Sequence, residues 1–131
     1  MNRLNLEPTR STPAVHFDPG THLLELKGES YPENAAKFYS PIFDWLDQYL
    51  AVVTQAPLVL NVEMIYFNSS SSMILLKMFD RLDQVATAGR PVTINWRFAS
   101  ENDVAKECGE EFQAEVTAVR FNLVPLTKGV A

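Results

Sequence analysis

One cysteine, two histidines and five glycines in 131 residues each remove a class of chemistry. The single thiol, Cys108, cannot close an internal disulfide, which fits a reducing compartment. Its neighbours in "KECGEEF" are acidic and disfavour a thiolate, so it reads as a structural thiol, not a nucleophile. His16 and His22 have no cysteine or carboxylate cluster at ligand spacing beside them, so no metal site is expected. Neither G-x-x-x-x-G-K-[ST] nor G-x-G-x-x-G occurs. Without those glycines the backbone cannot easily approach a pyrophosphate, and no cofactor is expected. There is no G-x-S-x-G elbow, and both histidines fall on a predicted hairpin remote from the serines, so a catalytic triad is set aside. The chain is expected not to be an enzyme.

Charge and hydropathy narrow the partners. Eleven lysines and arginines are scattered, and the formal net charge is −5. No basic stripe exists to neutralise a phosphate backbone, so nucleic acid is excluded as a partner. No uninterrupted apolar run approaches the about 18 residues that a membrane span needs. The stretch "MNRLNLEPTRSTPAVHF" holds no apolar core of signal-peptide length. A soluble cytoplasmic domain, without membrane insertion, is the expectation.

What is present reads as α/β. Residues 1–13 are polar, carry Pro8 and Pro13, and are expected to form an N-terminal arm ahead of a single domain over 14–131. Ala14–Phe17 and Leu23–Lys27 flank "DPGT", a turn in which proline presets one dihedral and glycine tolerates positive φ, so they predict a β-hairpin. After "SYPEN", the spacing of Phe38, Ile42, Trp45 or Leu46, Tyr49 and Val53 lines one helix face. Ser40 and Pro41 suggest that this helix restarts or kinks there. Leu58–Phe67 is a central strand, apolar on both faces except at Asn61 and Glu63. A second helix carries Ser71, Leu75, Met78, Leu82 and Val85 on one face and ends at "AGRP", with Gly89 as its C-cap. Pro91–Phe98 is a strand, "SENDVAKECGEEF" a helix capped by Ser100, and "EVTAVRFNLV" the last strand. The order β-β-α-β-α-β-α-β predicts a mixed, mostly parallel sheet of about five strands with helical crossovers and an antiparallel edge from the hairpin. Trp45 and Trp96 are expected as packing residues.

The unusual feature is "YFNSSSSMILLKMFD", four consecutive serines between the central strand and the second helix. A flexible linker does not fit, because only Asn68–Ser72 are left to turn the chain, an ordinary strand-to-helix length. The serines therefore form the turn and open the helix. Asn68 or Ser69 suffices as N-cap, and the remaining hydroxyls are presented at the positive end of the helix dipole. A phosphate would be well received there, by roughly 0.3–2 kcal/mol.

Several segments together carry a family resemblance. They are "STPAV", "GESYPEN", "FDWLDQYL", "YFNSSS", "FDRLDQVATAGRPVTINW" and "GEEF", running in order from about Ser11 to Phe112. This chain resembles the SiaC family of bacterial regulatory phosphoproteins, which is similar in architecture to the STAS-type anti-sigma-factor antagonists. The resemblance implies a non-enzymatic partner switch in cyclic-di-GMP and biofilm signalling. The unphosphorylated protein would bind and activate a diguanylate cyclase. A cognate serine/threonine kinase would turn it off, and a PP2C-like phosphatase would reverse the modification. By motif position Ser69 is the implied phosphoacceptor, with Ser70 and Ser71 as alternatives. Asn68, Ser69, Ser70 and Ser71, with Tyr31 and Asn34 of "SYPEN", are the implied partner-binding residues. The alternative is a STAS-like antagonist acting on an anti-sigma kinase in transcription control.

Overall fold

A computed structural model describes residues 1–52 and 55–127. The elements run β1 (Leu4–Leu6), β2 (Ala14–Asp18), β3 (Leu23–Ser30), α1 (Ala35–Val52), β4 (Leu58–Phe67), α2 (Ser69–Thr87), β5 (Val92–Ala99), α3 (Asp103–Glu115) and β6 (Arg120–Leu126). The strands form one six-stranded sheet in sequential order from β1 to β6. β1, β2 and β3 pair antiparallel, and β3 through β6 pair parallel. The α/β class, the mostly parallel sheet and the hairpin edge are as the sequence predicts. The sixth strand is β1, which comes from the segment expected to be an arm: Leu4, Asn5 and Leu6 register against Phe17, His16 and Val15.

Sequential strand order decides the layering. A parallel crossover is right-handed, so crossovers that always step the same way leave every connecting helix on one face. The buried positions agree. Leu58, Leu60, Val62 and Met64 of β4 face the helices, with Val92, Ile94, Trp96 and Phe98 of β5 beside them. The opposite face is polar and partly solvated, and it holds the two exceptions noted in β4. Asn95 Nδ2 donates to Asn61 Oδ1 at 2.8 Å and Asn122 Nδ2 to Asn95 Oδ1 at 2.9 Å, joining three strands in register. Glu63 lies 3.8 Å from both Lys27 and Arg97.

The core between sheet and helices centres on aromatic rings. Phe79 of α2 meets Phe112, Phe121 and Trp96 at centroid distances of 5.2, 5.6 and 6.4 Å. Trp96 is buried and donates from Nε1 to the Ala105 carbonyl at 2.8 Å. Trp45 is half-buried, stacked on Tyr49 at 5.2 Å. Both tryptophans are packing residues.

Four boundaries differ from expectation, each for a local reason. α1 runs unbroken through Pro41, and Ser40 lies inside it. The cap is Asn34, whose Oδ1 accepts the Lys37 N–H at 3.0 Å. Pro41 cannot bond the Lys37 carbonyl, but both residues are exposed, so water can take that acceptor. α2 begins at Ser69, which shortens the turn to Asn68 alone. α3 is capped by Asn102 instead of Ser100, with Oδ1 accepting from Ala105 N–H at 3.1 Å. β6 starts only at Arg120, because α3 continues to Glu115. Val53 lies outside the described residues.

Candidate functional site: the serine turn

The parallel strands β3 and β4 end side by side, and the chain turns at their carboxyl ends. Asn68 has extended dihedrals (φ −87°, ψ 174°), as an N-cap requires. Its N–H donates to the Ser30 carbonyl at 3.0 Å, which pins the cap to the end of β3. Its Oδ1 accepts from Ser71 N–H at 2.9 Å, and its carbonyl accepts from Ser72 N–H at 2.9 Å.

This cap sorts the serines. Ser71, the third helical residue, points inward and is fully buried, as is Ser30. Ser30 Oγ donates to Ser71 Oγ at 2.7 Å. Ser30 has one hydroxyl proton, so Tyr39 must be the donor in the 2.7 Å contact between its OH and Ser30 Oγ. Burial pushes the Tyr39 phenol up to about 12, and the bond to Ser30 only partly counters it. It therefore stays a proton donor at any physiological pH. The result is a closed ring, Ser30–Asn68–Ser71, extended to α1 by Tyr39. Ser69 and Ser70 are outside the ring and exposed.

The geometry separates the implied phosphoacceptors. A group attached to Ser71 would have to enter a packed interior and break a satisfied chain of hydroxyls. Ser69 and Ser70 are the first and second residues of a 19-residue helix. The backbone N–H groups there lie too early in the helix for an intrahelical acceptor and suit an anion. No histidine or carboxylate is bonded to Ser69, Ser70 or Ser71 among the described residues. The hydroxyls thus have no internal base, and a reaction there needs a catalyst from outside. His16 contacts Asn5, and His22 contacts Tyr49. Among the described residues no group of three or more His, Cys, Asp or Glu could hold a metal ion.

Tyr31 and Asn34 fall on the same end of the molecule in different roles. Tyr31 follows Ser30 directly, donates its N–H to the Ser11 carbonyl at 2.8 Å and sets its ring against Tyr66 at 5.5 Å. Asn34 is exposed, but its Oδ1 is committed to capping α1.

Sequence reasoning missed the apolar rim beside the turn. Ile65, Tyr66 and Val104 are 68%, 53% and 69% exposed. They border a cleft of about 230 Å³ that Asn102 closes by donating from Nδ2 to the Ile65 carbonyl at 3.2 Å. The available signal was Ile65 itself, an apolar residue on the polar side of β4's alternation, two positions after Glu63. Contiguous exposed apolar surface next to the serine turn is what a protein partner would cover.

Comparison with known proteins comes to the same fold and sequence type. Residues 6–126 match the model of the family described as SiaC family regulatory phosphoprotein. An uncharacterised protein of Pseudomonas aeruginosa (strain UCBPP-PA14) is 34% identical over 115 residues, which is 88% of this chain and 90% of that protein. The crystal structure of apo-SiaC from Pseudomonas aeruginosa superimposes with a TM-score of 0.84 at 30% identity, covering 95% of this chain and 99% of that one. A chain in the crystal structure of the diguanylate cyclase SiaD in complex with its activator SiaC, from the same organism, matches with a TM-score of 0.84 at 30% identity. The match covers 95% of this chain and 98% of that one.

Proposed function

Because this chain belongs to the SiaC family of regulatory phosphoproteins, we propose that it is a non-enzymatic partner switch that binds and activates a diguanylate cyclase when its serine turn carries no phosphate. The observation that carries the proposal is the sorting of the serines: two exposed hydroxyls on a helix N-terminus, above a buried ring that holds them in place. The solved cyclase complex of a SiaC relative supports this partner over an anti-sigma kinase.

Ser69 is the phosphoacceptor in this reading, and Ser70 is the alternative. Phosphorylation adds about −1.5 to −2 charges. The helix end tolerates them, so the domain need not rearrange. The cost falls on the complex, because a surface built against a neutral hydroxyl and the Tyr31–Tyr66 rim must now desolvate an anion. A loss of about 3–4 kcal/mol weakens binding roughly a hundred- to a thousandfold. Since the turn has no base of its own, a cognate serine/threonine kinase supplies the phosphate and a PP2C-like phosphatase removes it. The switch operates in the cytoplasm, where a diguanylate cyclase output domain resides. Among the described residues no helix is long and apolar enough to cross a membrane.

The test is incubation with the cognate kinase and ATP, intact mass, and fragment-ion mapping of residues 66–77. One phosphate on Ser69, accompanied by loss of cyclase binding, is expected. A phosphate on Ser70 keeps the switch and moves the acceptor. An unmodified protein in the presence of active kinase leaves the serines as helix caps and overturns the proposal.

A further inference from the structure

Helix α2 turns two different flanks to its neighbours as it leaves the serine turn. Residues three and four apart share a side of a helix, so Ser70 stands in line with Ile74, Lys77 and Arg81, and Ser69 with Ser72, Met73 and Leu76. The Ser70 flank borders a smaller cleft of about 230 Å³ toward α1, and its arginine is paired within the chain. Arg81 grips both carboxylate oxygens of Asp47 at 2.7 and 2.9 Å and lies over the Phe43 ring, 4.8 Å from its centroid.

The Ser69 flank opens on a larger groove, of about 390 Å³, against α3, lined by Met73, Leu76, Phe112 and Ala114 and by the carboxylates Glu111 and Glu115. Met73 is 65% exposed. Every other exposed position of α2 is a serine, lysine, aspartate, glutamine or threonine, so Met73 is the apolar exception. A thioether in water forgoes hydrophobic burial that a partner could recover, and methionine adapts its shape to what covers it.

The charge beside the groove has one sign. Asp103, Glu107, Glu110, Glu111 and Glu115 of α3 are exposed, against Lys106 alone. None of those carboxylates has an ion-pair partner among the described residues. Their field reaches inward, since the Cys108 thiol is pushed up by burial and further by Glu111 and Glu107.

We infer that the α2/α3 groove is a docking site for an amphipathic helix of a partner protein, its apolar stripe seated on Met73, Leu76 and Phe112 and its flanking lysines or arginines set against Glu111 and Glu115. Complementary charge would steer and orient such a helix, and its apolar stripe would supply the burial. A second copy of this chain meets the description poorly, because its net charge is −5 and the basic line on its α2, Lys77 and Arg81, has Arg81 already committed to Asp47.

The chain has four methionines, Met1, Met64, Met73 and Met78, of which Met64 and Met78 are core residues. The full chain labelled with methyl-¹³C methionine is titrated with an amphipathic peptide of leucine and lysine, and separately with its leucine–glutamate counterpart. The lysine peptide is expected to move the Met73 methyl signal saturably and to leave Met64 and Met78 in place. Binding should weaken at least about tenfold in Met73→Asp and in the double variant Glu111→Lys/Glu115→Lys. The double variant Glu7→Lys/Asp44→Lys makes the same charge change at exposed positions outside the groove and should stay within about twofold. All of these positions are exposed, and an unchanged unfolding midpoint verifies that the variants fold. A silent Met73 signal, equal binding of the glutamate peptide, or equal damage by the control variant would overturn the assignment.

Discussion

The hydroxyls of Ser30 and Ser71 lie 2.7 Å apart, both fully buried, and join the end of β3 to the first turn of α2. Of four consecutive serines, this bond takes one out of reach and ties the turn above it to the end of β3. In the proposed switch, a turn held in this way would let a phosphate act on a complex without first reshaping the domain.

Substitutions along the serine run should therefore diverge. Ser71→Asp places a charge in the buried ring and should cost several kcal/mol. Ser71→Ala leaves Ser30 without its acceptor and should cost about 1–2 kcal/mol. Ser69→Asp puts an anion at an exposed helix N-terminus and should be neutral or stabilising by up to about 1 kcal/mol. Urea unfolding of the three variants measures the order, and Ser69→Asp proving the least stable would contradict it.

Gly109 is the second place where a small change should be felt. A Cβ built there would fall 2.5 Å from Trp96 Cδ1 and 2.9 Å from Leu123 Cδ2. Glycine in mid-helix costs α3 about 1 kcal/mol of propensity, and the close seating of the Trp96 indole on the Ala105 carbonyl explains its presence. Gly109→Ala should lower stability by about 1–2 kcal/mol despite the better propensity, since overpacking costs roughly 1–3 kcal/mol. A raised thermal midpoint would show that α3 shifts freely.

Asp83 gives a pH-dependent prediction. Desolvation alone would raise its carboxyl, but bonds from the Val119, Ala118 and Thr117 N–H groups outweigh it and hold the group below its usual value of 3.8. Those donors lie at 3.0, 2.8 and 3.1 Å and tie α2 to the loop before β6. A carboxyl depressed in the folded state stabilises above the unfolded value and loses that contribution as pH falls through the folded value. The stability gap between the wild type and Asp83→Asn should be open at neutral pH and close below about pH 4. A gap independent of pH would mean that charge has no part in this tie.

Much of this was legible in sequence because periodicity and turn chemistry are local. The "DPGT" turn, the apolar alternation of β4 and the three-four spacing of α2 report contacts made within a few residues. The cap choices were less so: Ser100 and Asn102 are both good caps, and only the carbonyl of Ile65, distant in sequence, makes Asn102 the better anchor. β1 was hidden because its apolar signal is three residues long and becomes a strand only through the register of β2. At the site, the strand-to-helix position of the serines was readable, whereas the burial of Ser71 was not. That depends on Ser30 and Tyr39, 41 and 32 positions away, which no local pattern connects to it.

The switch itself is tested most directly by calorimetry with a diguanylate cyclase partner, using the protein carrying phosphoserine installed at position 69 during translation and the unmodified protein. The account predicts a Kd at least about a hundredfold weaker for the phosphoprotein, with the unfolding midpoint no lower than that of the unmodified chain. Equal affinity of the two forms, or weaker binding only in a destabilised phosphoprotein, would contradict it.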